Sequence, residues 1–161
     1  EVWGLDHGSG GIASAATDGR VLVVPGAKGL TAFALEPGGV PPKRLWEQPR
    51  LNPDTASPVV AGERVYVLRG NFLAVGDLKT GKVLAQTRLP GPFWASPVMA
   101  GSRLYCLGEN GEVRAVQVEG GDPRVAEQGN LHEALLATPA LADGALYLRS
   151  DHSLWRFGRP G

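Results

Sequence analysis

Apolar residues fall in short runs broken by glycine, proline and polar residues, and no stretch repeats them at helical spacing. The runs themselves recur. Aligned, they place Val21, Val65, Leu104 and Leu146 at one position, Leu22, Tyr66, Tyr105 and Tyr147 at the next, and Val23, Val67, Cys106 and Leu148 at the third. Successive residues of a strand face opposite ways, so these segments predict strands apolar on both faces, covered by neighbouring sheets on both sides. A sheet with one wet face would instead alternate apolar and polar residues.

The surrounding text repeats as well. ASAATDGRVLVV from Ala13, ASPVVAGERVYVL from Ala56, ASPVMAGSRLYCL from Ala95 and ATPALADGALYLR from Ala137 are variants of one phrase, offset by 43, 39 and 42 residues. Each unit reads as strand, tight turn, strand, loop, strand, turn, strand. In the second the strands are expected at 56–61, 64–69, 72–77 and 82–88, with Gly62, Gly70, Asn71 and the Thr80-Gly81 pair as turn residues. A period of about 40 residues built of short strands predicts a β-propeller rather than a helical solenoid.

The expected fold is therefore all-β: four-stranded antiparallel blades at approximately 12–48, 56–88, 95–128 and 136–157, with 1–3 as a stray outer strand. That makes about four blades' worth of chain. Closing on four blades is at the small end of the usual range, so these repeats are expected to be part of a larger ring. Closure of four blades alone, and joining of two copies as half-rings, are the alternatives.

Composition narrows the function classes. The 161 residues carry 16 Lys and Arg against 16 Asp and Glu, a formal net charge of zero. That balance excludes a polybasic nucleic-acid binder. With 43% hydrophobic and 20% charged residues, the chain has the apolar content for a core. Its 23 glycines and 13 prolines are near double the usual combined share of about 12%, as frequent turns require. No apolar run approaches the roughly 18 residues of a membrane span, so no membrane insertion is expected of this segment. The only methionine is Met99, so the chain is expected to have been processed, trimmed or cut from something longer. A single cysteine forms no internal disulfide.

The phrase FLAVGDLKTGKVL at 72–84 resembles the "ALD-x-x-TGK-x-LW" signature of pyrroloquinoline-quinone (PQQ) type propeller repeats, and ASPVVAGERVYVL resembles their opening strands. The likeness covers nearly the whole chain. Its last 65 or so residues are similar to the C-terminal end of large PQQ-like repeat proteins of planctomycete-type bacteria, found outside the cytoplasm. The resemblance implies a periplasmic or otherwise extracytoplasmic location. It also implies outer-strand tryptophans that dock neighbouring blades. Trp3 and Trp46 fit that role, whereas Ala85 stands where the next is expected and the third unit has none.

A quinoprotein dehydrogenase, as the resemblance implies, brings a vicinal cysteine pair, a Ca²⁺ held by Glu, Asn and Asp, and an aspartate base. Only Cys106 exists here, at a core strand position, and it reads as a buried packing residue. Asp6-His7-Gly8-Ser9-Gly10-Gly11 offers an acid, a base and a hydroxyl, but triad members converge from distant segments. It reads as a glycine-rich crossing loop. His7, His132 and His152 lack metal-ligand spacing, and the Asp151 loop lacks the oxygen ligands a hard cation takes. No metal, no cofactor and no catalytic residue is expected.

Propeller geometry sends the loops leading into each inner strand, and those between second and third strands, to one mouth of the channel. The first set carries His7, Ser9, Asn52, Asp54, Phe93, Trp94, His132 and Glu133; the second carries Lys28, Arg69, Asn71, Glu109, Asn110, Asp151 and His152. These loops differ while their flanking strands repeat, as a common scaffold with a varied surface predicts. A protein or carbohydrate ligand is expected there, bound by His7, Asp54, Phe93, Trp94, His132 and Glu133. Phe93-Trp94 is either a packing plug or a stacking platform. The leading expectation is a non-catalytic binding or scaffold module. Its alternatives are the C-terminal portion of a PQQ-dependent alcohol or sugar dehydrogenase, and a half-ring that closes by homo-oligomerisation.

Overall fold

The computed structural model describes residues 3–4, 11–119 and 122–158. Their regular structure is almost wholly antiparallel sheet, with one 3-10 turn at Pro37–Gly39. The first sheet runs β1 (Ala16–Thr17), β2 (Val21–Gly26), β3 (Gly29–Ala34) and β4 (Lys43–Gln48), each beside its sequence neighbour. The second comprises β5 (Val59–Ala61), β6 (Arg64–Arg69), β7 (Phe72–Asp77) and β8 (Val83–Arg88). The third comprises β9 (Val98–Ala100), β10 (Arg103–Leu107), β11 (Glu112–Gln117) and β12 (Arg124–Asn130). The fourth has three strands among the described residues, β13 (Ala140–Ala142), β14 (Ala145–Arg149) and β15 (Leu154–Phe157).

β6 and β7 keep the bounds expected from the apolar runs. β5 begins three residues later than expected, at Val59, because Pro58 has no N–H to give a ladder. The inner hairpins turn on left-handed residues: Ala142 faces Ala145 across Asp143 (φ 49°) and Gly144 (φ 68°), the two-residue primed turn that matches strand twist. Val65, Val67, Leu104, Cys106 and Leu148 are fully buried, as strands covered on both faces require, whereas every residue of β12 is exposed.

The chain divides into two compact units, Glu1–Arg69 with Ala74–Ala85, and Gly70–Leu73 with Gln86–Gly161. In the first, Val23, Leu30, Ala32, Leu51, Val65, Val67, Ala74 and Leu78 form a core that includes the outer-strand Trp46. Its indole N–H donates to the Leu78 carbonyl at 2.9 Å, and a Cβ at Gly81 would lie 2.6 Å from its ring. Gly81 is therefore fixed twice, by φ of 71° and by the ring above it. The turn beneath is shaped by Asp77, whose carboxylate accepts from the Thr80 hydroxyl (2.7 Å), Thr80 N (2.8 Å) and Lys79 N (3.1 Å). These bonds, the Thr80 hydroxyl foremost, hold Asp77 below the usual carboxylate range. Trp46 thus docks one blade on the next. Trp3 is 36% exposed and lies in no strand, while Glu1 and Val2 fall outside the described residues.

In the second unit Ala95, Leu107, Leu135, Leu146 and Leu148 form the core, with Val98, Tyr105, Val113, Leu131 and Trp155 against it. No helix among the described residues is long and apolar enough to cross a membrane.

Candidate functional site

In the second unit the loops leading into inner strands and the loops after second strands are tied together by backbone hydrogen bonds. Asn71, between β6 and β7, accepts from Leu89 N through its carbonyl (2.7 Å) and from Gly91 N through Oδ1 (3.2 Å). Glu109, between β10 and β11, donates its N–H to the Pro92 carbonyl (2.9 Å), and its own carbonyl accepts from Leu135 N (3.1 Å). Gly111 is pressed against the loop ahead of β13: a Cβ there would lie 2.8 Å from the Glu133 carbonyl. A continuous belt of loops results. A turn held at both ends by hydrogen bonds gives its side chains a fixed place, which is what a recognition surface needs.

On this belt the two adjacent aromatics part company. Phe93 is buried at 7% exposure with its ring against Gly91, so it packs the loop and presents no surface to a ligand. Trp94 is 47% exposed. The sequence pair is thus plug and platform at once, one residue each.

His132 and Glu133 separate in the same way. His132 is exposed and takes φ of 58°, a left-handed conformation uncommon for a side chain of this size, with its N–H donating to Asn130 Oδ1 at 2.6 Å. Glu133 is half-buried and committed inward. Its carboxylate accepts from the Ser150 hydroxyl and, at 3.1 Å, from the Ser153 hydroxyl. Ser150 Oγ also accepts from Ser153 N (3.0 Å) and Trp155 Nε1 (3.2 Å). These bonds, the Ser150 hydroxyl first, lower the Glu133 pKa, so Glu133 is an ionised brace for the loop carrying Asp151 and His152. Ser150 and Ser153 did not stand out in the sequence, being short polar residues in a turn.

Asp54 belongs to the first unit, half-exposed, with Oδ1 4.0 Å from Arg69 Nε. That pair joins a loop leading into an inner strand to the last residue of β6. His7 and Ser9 lie outside the described residues.

The quinone and Ca²⁺ that the resemblance implies would need a cysteine pair and a cluster of oxygen ligands. Cys106 is fully buried, and desolvation pushes its thiol up to about 12, so it is neither a thiolate nor half of a cysteine pair. Among the described residues no three His, Cys, Asp or Glu side chains gather as a cation site. These residues do not fit the quinone and calcium set that the resemblance implies.

The model of the family described as outer membrane protein assembly factor BamB matches residues 41–149. No curated protein matches. Among solved structures, BamB from Moraxella catarrhalis superposes with a TM-score of 0.72 at 15% identity, covering 89% of this chain and 41% of that one. The chain therefore spans about two fifths of that protein's length. The computationally designed Ika4 protein gives a TM-score of 0.77 at 12% identity, covering 98% of this chain and 97% of the other. For the designed Ika8 protein the values are 0.72, 12%, 96% and 48%. At these identities the likenesses establish the fold, a β-propeller of antiparallel blades. Because the family model spans more than half of the sequence, the chain belongs to the BamB-type family of PQQ-like β-propeller repeats.

Proposed function

We propose that this chain is a non-catalytic binding module of an extracytoplasmic protein, and that it holds a protein partner on the loop belt of its second unit. The carrying observation is Trp94, a large ring left 47% exposed on a loop anchored by the bond from Glu109 N to the Pro92 carbonyl. Exposed aromatics on rigid mounts supply contact area at little entropic cost, and such residues dominate interface energetics. His132 and Asn110, exposed on adjoining loops, extend the surface with polar groups. Phe93 and Glu133 support it from beneath, and Asp54 with Arg69 forms a polar patch of the first unit. The family's description as an outer membrane protein assembly factor supports both a protein partner and a place outside the cytoplasm. The blades at 12–48, 56–88, 95–128 and 136–157 serve as scaffold for these loops.

The test is crosslinking from a photoreactive residue at Trp94 in the intact organism, followed by affinity measurement with the captured protein. Trp94→Ala is expected to weaken that complex by more than about 1 kcal/mol while leaving the melting temperature unchanged. Capture of glycan rather than protein, or an unaltered affinity in the variant, overturns the reading.

A further inference from the structure

The first and third sheets deliver one outer-strand residue to the same place. In the first, Ala32 pairs with Trp46 and the register shifts immediately after, between Ala32 and Phe33. In the third, Ala115 pairs with Glu127 and the register shifts between Ala115 and Val116. Glu127 therefore occupies the position of the docking tryptophan. The opposing walls correspond too. Trp46 packs in a core with Ala32, Val65 and Val60, the last two a cross-strand pair at the second rung of their hairpin. Their counterparts in the second unit are Ala115 and the pair Leu141 and Leu146.

A carboxylate thus stands where the first sheet has an indole. Glu127 turns to Arg103, with 2.9 Å between Oε1 and Nη1. Between the third and fourth sheets lies a cleft of about 950 Å³ lined by Tyr105, Val113, Ala115, Leu141, Leu146 and Phe157, with the ion pair on its wall. Leu141 and Phe157 remain 43% and 44% exposed, whereas Val65 and Val60, the rung that matches Leu146 and Leu141, belong to the core that holds Trp46. A volume of this order accepts a drug-sized group or an aromatic side chain with its flanking residues.

We infer that this cleft is a second binding site, and that it takes a tryptophan side chain presented by a partner peptide. The choice of occupant follows from the chain itself: the equivalent slot, built from equivalent rungs, encloses an indole in the first unit. Paired walls of alanine and aliphatic residues supply the flat apolar contact that an indole face prefers. The site is distinct from the Trp94 belt, and neither depends on the other.

N-acetyl-L-tryptophanamide is the probe, titrated into the protein and followed by NMR. Saturable binding with Kd on the order of 0.1–1 mM is expected for a ligand of this size. Glu127→Trp, which refills the slot from within, is expected to weaken binding at least tenfold. Leu141→Glu, at a half-exposed rim position, is expected to do the same with the fold intact, and it decides the matter if the tryptophan variant does not fold. Trp94→Ala is expected to leave probe binding unchanged. Absence of saturation up to about 10 mM, equal binding of N-acetyl-L-leucinamide, or unchanged affinity in a folded Leu141→Glu variant overturns the inference.

Discussion

Trp46 and Leu78 are joined by a hydrogen bond of 2.9 Å from the indole nitrogen to the backbone carbonyl, and this bond ties an outer strand to the turn that follows β7. It lies in the core of the first unit, where an unmet carbonyl costs more than the bond itself contributes.

Trp46→Ala should therefore destabilise the protein by about 3–5 kcal/mol. Trp46→Phe keeps most of the apolar area but strands the Leu78 carbonyl, so a loss of about 1–3 kcal/mol is expected. Chemical denaturation of the two variants beside the parent separates the ring from its hydrogen bond. Parent-like stability in Trp46→Phe would mean that the bond contributes nothing.

Asp77 and Asp18 set the acid limit of the first unit. The Thr80 hydroxyl lowers the Asp77 pKa, and backbone N–H groups, Val21 first, lower that of Asp18. A carboxylate depressed in the folded state adds stability that is complete above its unfolded value of about 4 and disappears as pH falls through the folded value. The melting temperature should drop below about pH 4, and Asp77→Asn should flatten the drop. An unchanged pH profile in that variant would remove Asp77 from the account.

Cys106 should resist thiol reagents at pH 8 in the native protein and react at once in denaturant, because burial holds its thiol near 12. Cys106→Ser places a hydroxyl among apolar side chains and should cost about 1–3 kcal/mol. Rapid native labelling would show that the strand opens far more readily than its packing implies.

Glu133→Ala should leave Ser150 and Ser153 without their shared acceptor. Faster amide exchange confined to the 150–153 segment is expected, read by mass spectrometry. Protection identical to the parent would argue that the serines hold the turn by themselves.

The strands were legible because their signal is local. Val65 to Leu68 is an unbroken apolar run, and it forms the middle of β6. The Trp46 contact was legible from the resemblance, since the Thr80-Gly81 turn it rests on is part of the same phrase. The loops were not. Nothing in the order Phe93-Trp94 says which ring turns inward, because a loop has no period to assign faces. Glu133 reads as a surface acid until the fold brings Ser150 to it from 17 residues away. The correspondence of Glu127 with Trp46 was hidden for a different reason. Two outer strands that share no letters there align only through their strand pairing and its irregularity.

That shared irregularity carries a broader consequence. A bulge adds twist and re-aims the neighbouring side chain, and in both outer strands it falls beside this position, Trp46 in one and Glu127 in the other. Mutation there is expected to convert a sealed joint into a receptive crevice, or the reverse, while the ladders on either side stay as they were.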